Sequence, residues 1–175
     1  MVRSAIRVRN ENQPVKPSSD VGRQDADNAG VAFRPPFLLA ASVALAFGAR
    51  WIFPFTVFPP GLSAAGPIIV VASFALFFGS AFTMQRNGGS VPTGKPTDAI
   101  VGRGPYRFSR NPIYLSMLCL QMGLGLWANS GWFFAFALSS FVLLSWGVIS
   151  REERYLEGKF SAEYLRYKSR VRRWF

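Results

Sequence analysis

Residues 111–150 read NPIYLSMLCLQMGLGLWANSGWFFAFALSSFVLLSWGVIS, forty residues without a single Asp, Glu, Lys or Arg. A soluble helix needs a polar face towards water; a bilayer demands that charge be left out. Asn111-Pro112 marks a helix start, with Asn as the cap and Pro at the first helical position. Asn129-Ser130-Gly131 is a tight turn that divides the run into two spans, the second ending at Ser150. Each is close to the ~20 residues that cross ~30 Å of hydrocarbon.

Upstream the pattern repeats. A first span runs from about Phe37 to Phe55 after Pro35 and Pro36, and a second from about Ala64 to Met84; Pro59, Pro60 and Gly61 force the reversal between them. The stretches 35–85 and 111–150 hold one charge together, Arg50. The sequence therefore predicts an all-α, polytopic membrane protein: four transmembrane helices in two hairpins, followed by a C-terminal amphipathic helix over 151–174. That helix is read from Leu156, Phe160, Tyr164, Tyr167, Val171 and Trp174, spaced by fours and threes between basic residues. Such a surface would lie on anionic headgroups. Residues 1–32 are polar with nearly balanced charge, and read as a disordered cytoplasmic tail ahead of a membrane domain over 33–175.

Nineteen of the twenty Lys and Arg fall in residues 1–34, the 85–111 loop and the C-terminal helix; the two short turns hold none. By the positive-inside rule these segments and both termini are cytoplasmic, at the inner membrane if the chain is bacterial. Arg50 alone lies towards the outer side, where it can snorkel or pair.

The chain has no histidine and one cysteine, Cys119. A Ser-His-Asp triad, a His general base, HExxH-type metal sites and thiolate zinc sites are thereby excluded. No metal and no nucleic-acid partner is expected. Polar residues concentrate in two places: the loop from Asp98 to Tyr114, and Arg151-Glu152-Glu153 just after the fourth span. Both lie at the cytoplasmic membrane face, and packing of the hairpins brings them together. Gly102 and Gly104 let a ligand approach the backbone, and the start of the third helix offers open N–H groups to an anion. Turn glycines also serve plain turns, and acids at a helix start stabilise its N-terminus. The residues alone leave both readings open.

The string Gly104-Pro105-Tyr106-Arg107-Phe108-Ser109-Arg110-Asn111-Pro112-Ile113-Tyr114 resembles the G-x-Y-x-x-x-R-H-P-x-Y segment of the isoprenylcysteine carboxyl methyltransferase and phospholipid N-methyltransferase superfamily. Glu152-Glu153-x-x-Leu156 through Phe160, Tyr164 and Tyr167 is similar to that family's C-terminal segment, and the resemblance covers roughly residues 60–174. It implies an S-adenosyl-L-methionine (SAM)-dependent methyltransferase with a lipid-like or other hydrophobic acceptor, either a carboxylate or an amine, entering from the bilayer, and with membrane lipids as its partners. Carried over, Asp98, Ala99, Ile100 and Val101 would border the adenosyl moiety and Tyr106 would line the pocket. Asn111, Pro112, Ile113 and Tyr114 would hold the methionine end, and Glu152, with Glu153 beside it, would contact the cofactor. Two positions depart from the family. Asn111 stands where His is usual, and Val148 stands where the isoprenylcysteine enzymes carry a substrate-contacting Arg; Arg151, one turn away, is a candidate substitute. Two alternatives stand beside this reading. One is an NADPH-dependent membrane reductase of the sterol-reductase type, whose members carry a similar segment. The other is a non-catalytic, lipid-binding membrane adaptor.

Overall fold

The computed structural model describes residues 34–59, 61–89 and 99–175. The expected tail 1–32, Pro60 of the first turn and loop residues 90–98, Asp98 among them, lie outside the described residues. Among the described residues every regular element is helical: α1 (Pro35–Ile52), α2 (Ala65–Arg86), α3 (Pro112–Trp127), α4 (Gly131–Leu143) and α5 (Ser150–Arg170). Single 3₁₀ turns precede α2 and span Gly104–Arg107, and a π-helical stretch, Leu144–Ile149, joins α4 to α5 without a break.

Among the described residues three helical stretches are long and apolar enough to cross a membrane: Pro35–Ile52, Leu62–Arg86 and the run that begins at Gly131. The third expected span, α3, has 16 residues and rises only about 24 Å. It is the central helix. Tyr114, Ser116, Met117, Leu118, Gln121, Gly123 and Gly125 are all buried, so protein covers most of what lipid would otherwise meet.

The two expected hairpins do not pack as separate units. α2 packs along α3, α1 packs on α4, and α3 and α4 pack on each other. α1 and α2 thus flank the α3–α4 hairpin, and the strongest helix contacts join the two halves of the chain. Glycines explain the close approach of α2 to α3. A Cβ on Gly123 would meet Val70 and Ile69 at 3.0–3.1 Å, and one on Gly66 would strike the backbone of Trp127. Gly125 is held against Phe133 and Phe134 in the same way, whereas Gly79 faces open space. Between helices, Gln121 in α3 donates to Ser42 in α1 (2.8 Å) and to Ser140 in α4 (3.2 Å). A buried amide in an apolar bundle needs such partners.

The two short turns meet at one end of the bundle. Asn129, at φ 45°, accepts from the Phe58 amide and donates to its carbonyl, both at 3.0 Å. Asn tolerates that left-handed geometry better than most residues. Arg50 does not extend away to water: it donates to the carbonyls of Ala128 and Asn129. A cation there satisfies carbonyls that the end of α3 leaves open.

The C-terminal segment differs from the single amphipathic helix expected over 151–174. α5 ends at Arg170 and breaks at Ser161, where φ is 42° and ψ −114°. Lys168 and Glu157 form an ion pair at 2.5 Å; a straight helix would separate residues eleven apart by about 16 Å along its axis. α5 is therefore two arms folded against each other. Val171 to Phe175 leave the helix altogether and return to the start of α3. Tyr164 and Tyr167, two members of the apolar stripe, turn towards the 102–110 loop rather than outward along a common helix face.

Candidate functional site

The site is built where four segments converge: the end of α2, the loop 99–111, the start of α3 and the first turn of α5. The loop's returning end lies beside the last turn of α2. A Cβ on Gly88 would contact Ala99 at 3.7 Å, and one on Gly89 would press on Val101 at 3.1 Å. Val101 is buried, and Ala99 and Ile100 are half-buried. Gly104 is required by geometry: its φ is +57° and a Cβ there would press on Thr83. That turn sends Tyr106 inward, where it is 3% exposed. Its hydroxyl reaches the Met84 sulfur at 3.6 Å and its carbonyl accepts from the Tyr167 hydroxyl at 2.8 Å. Burial pushes the Tyr106 and Tyr167 phenols well above their ordinary value. Both stay neutral donors at any physiological pH.

The π turn fixes the direction in which α5 leaves the bundle. A π-bulge holds an extra residue in the helix and rotates everything after it. Val148 and Ile149 are adjacent yet both fully buried, in a cluster with Tyr114, Met117, Leu118 and Leu144. The rotation brings Glu152 beneath α3, where Tyr114 donates to its Oε1 at 2.8 Å. Glu152 is half-buried. Its carboxyl is raised to about 7, by burial first; the Tyr114 hydrogen bond works against that rise and the neighbouring Glu153 adds to it. Near neutrality this group is poised between its two forms.

Glu153 is engaged differently. It is buried, and both its oxygens are held by arginines: Arg110 Nη2 at 3.1 Å from Oε1, Arg173 Nε at 3.1 Å from Oε1 and Arg173 Nη2 at 2.5 Å from Oε2. Tyr164, buried beside this cluster, is pushed up to about 12 by burial, with Glu153 adding to the rise and Arg110 opposing it. Arg151 is exposed.

Pro112 stands at the first position of α3, as the sequence predicts, but the Asn111 side chain makes no capping hydrogen bond to it. The Asn111 amide instead donates to the Arg173 carbonyl at 3.0 Å. The Arg173 carbonyl needs a donor once α5 has ended, and this contact uses Nδ2, while Oδ1, the atom a cap would use, makes no bond to the first N–H groups of α3. The first turn of α3, carrying Ile113 and Tyr114, therefore keeps its positive end without a cap from Asn111.

The structure thus brings together Val101, Tyr106, Asn111, Pro112, Tyr114, Glu152 and Glu153 from distant parts of the chain, with Ala99 and Ile100 at the margin. Sequence reasoning passed over Arg173 and the π turn, and took Tyr164 only as part of the apolar stripe and of the family segment. The signal available for Arg173 was a carboxylate on the buried side of its helix, Glu153, that needed a cation, with Trp174 next to Arg173 as an apolar anchor.

A family model described as phospholipid methyltransferase matches residues 62–163, more than half of the chain. An uncharacterized protein of Haemophilus influenzae is 39% identical over 62 residues, which is 35% of this chain and 98% of that protein. No solved structure matches the chain.

Proposed function

Because the chain belongs to the phospholipid methyltransferase family, we propose that it is an integral membrane methyltransferase that uses SAM to methylate a hydrophobic, lipid-like acceptor. The observation that carries the reading is the pairing of Tyr114 with Glu152 at the start of α3. These residues fit the cofactor. The first turn of α3, which Asn111 does not cap, suits the methionine carboxylate. The Glu152 carboxylate suits a ribose diol or the sulfonium charge. Val101 and Tyr106 supply an apolar wall with a polar edge for the adenosyl part. The Glu153 carboxylate is already spent on two arginines, which favours Glu152 as the contact and Glu153 as its support.

The cofactor supplies a methyl group already activated on sulfur. The protein has to align it with a nucleophile and exclude water, which is worth up to roughly 7–11 kcal/mol in favourable cases. No histidine is needed if the acceptor attacks as a neutral amine or a carboxylate. Val148 is fully buried among apolar side chains. An acidic acceptor would find no cation at that position, which favours an amine. Arg110 is committed to Glu153, so the loop has one arginine fewer for the 2′-phosphate of NADPH, and the reductase reading loses support.

The same reading gives four membrane crossings, α3 being the one shielded by protein, with the basic loop, α5 and both termini on the cytoplasmic side. The test is transfer of label from methyl-labelled SAM into the organic phase of a membrane lipid extract. Label in lipid with the wild type and not with Glu152→Gln supports the proposal. No label, together with NADPH oxidation in the same extract, would replace it with the reductase.

A further inference from the structure

Residues 171–175 are bound closely to the site. The Arg172 carbonyl accepts from the Arg110 amide at 3.0 Å. The Arg173 carbonyl accepts from the Asn111 side chain at 3.0 Å and from the Ser109 hydroxyl at 3.3 Å. The Arg173 guanidinium forks onto Glu153, and Trp174 packs on Phe141 of α4 with ring centroids 5.0 Å apart. One residue therefore grips both sides of the Tyr114–Glu152 pair. Its carbonyl holds the turn that launches α3, three residues before Tyr114. Its guanidinium holds the carboxylate next to Glu152. A bidentate fork fixes orientation as well as charge.

We infer that Arg173 is a positioning residue for the cofactor contact: through Asn111 and Glu153 it sets the geometry and the charge balance of Tyr114 and Glu152, so that the C-terminal strap controls cofactor affinity. The inference rests on the methyltransferase reading. It also accounts for Asn111, which spends its amide on the strap.

Charge supplies a readout that mere folding would not move. Among the described residues the groups that act on Glu152 are Tyr114 from α3, Tyr106 from the loop, and Glu153 on its own helix, itself paired with Arg110 and Arg173. Removing the Arg173 charge leaves Glu153 more negative and makes Glu152 harder to ionise. The pH at which SAM binding is half-maximal should then rise.

The experiment is calorimetric titration of the detergent-purified full chain with SAM between pH 5.5 and 8.5, for wild type, Arg173→Lys and Arg173→Gln, with amide hydrogen exchange on the ligand-free proteins. Arg173→Gln should bind at least tenfold more weakly at pH 7, with its midpoint moved to higher pH. Arg173→Lys, which keeps the charge and loses the fork, should keep the midpoint and fall between the two in affinity. Exchange should accelerate at the Arg110 amide and stay slow in α3 and α4. Wild-type affinity and midpoint in Arg173→Gln would overturn the inference and leave the methyltransferase reading standing. So would weaker binding at an unchanged midpoint with exchange raised throughout α3 and α4, because Arg173 would then be a general stabiliser. Failure of the wild type to bind SAM would remove both.

Discussion

The hydroxyl of Tyr114 donates a 2.8 Å hydrogen bond to Oε1 of Glu152, across thirty-eight residues of sequence. The bond ties the first turn of α3 to the first turn of α5. It favours the ionised form of a carboxyl that burial raises to about 7.

Tyr114→Phe removes that bond and nothing larger than a hydroxyl. Glu152 then ionises less readily. On the proposed function SAM binding needs the carboxylate, so it should weaken several-fold at pH 7, with its pH midpoint moved upward. Titrations at pH 6, 7 and 8 read both effects; an unchanged midpoint would show that the bond does not govern the carboxylate.

Glu152 also sets a pH dependence of stability. Its carboxyl titrates near 4.5 when unperturbed and near 7 in the fold. Between those values the folded protein binds more protons than the unfolded one, so stability falls as pH rises through that window. The cost is fully present above about pH 7 and amounts to at most about 3 kcal/mol. Glu152→Gln should flatten this slope and be the more stable protein at pH 8, while losing SAM. Thermal unfolding in detergent at pH 5 and pH 8 makes the comparison, and parallel slopes in both proteins would contradict it.

Two nearby glycines should respond differently to alanine. Gly104 has φ +57° and a Cβ there would lie 3.0 Å from the Thr83 hydroxyl, whereas a Cβ on Gly102 would meet Tyr167 at 3.5 Å, an ordinary contact. Gly104→Ala should cost about 1–2 kcal/mol and Gly102→Ala about 0.5 kcal/mol or less. Unfolding midpoints of the two variants decide this; equal losses would mean that the turn is not held as described.

Arg50 closes the opposite end of the bundle. Arg50→Met keeps much of the apolar stem and removes the donors to Ala128 and Asn129. It should lower stability by about 1.5–3 kcal/mol without altering SAM affinity in the protein that remains folded. A loss of affinity with unchanged stability would place Arg50 in the site rather than in the scaffold.

Much of the fold was legible in the sequence, because the relevant signals are local. Pro112 fixes a helix start, Asn129-Ser130-Gly131 makes a turn, and exclusion of charge marks the apolar helices. The meeting of Tyr114 with Glu152 is expected once the α3–α4 hairpin is drawn, since it returns the chain to the same end. The pairing of helices was not legible. Periodicity says which faces are apolar, not which helix covers them, and the fit of Gly66 against Trp127 is a tertiary fact. The break at Ser161 was hidden because the stripe Leu156–Phe160–Tyr164–Tyr167 continues through it. Tyr164 and Tyr167 are apolar at helical spacing for a different reason: they cover the loop. The π turn has no sequence signature here. The role expected of Asn111 as a cap was a sound local inference; in the fold its amide donates instead to a carbonyl sixty-two residues away.

The central claim is that Glu152, poised by Tyr114, receives SAM at the start of α3. Calorimetric titration with SAM of wild type and Glu152→Ala at pH 7.5, with NADPH as the control ligand, tests it most directly. The account predicts SAM binding by the wild type, no NADPH binding, and at least a tenfold loss, about 1.4 kcal/mol, in Glu152→Ala. Equal SAM affinity in the two proteins, or binding of NADPH instead, would contradict it.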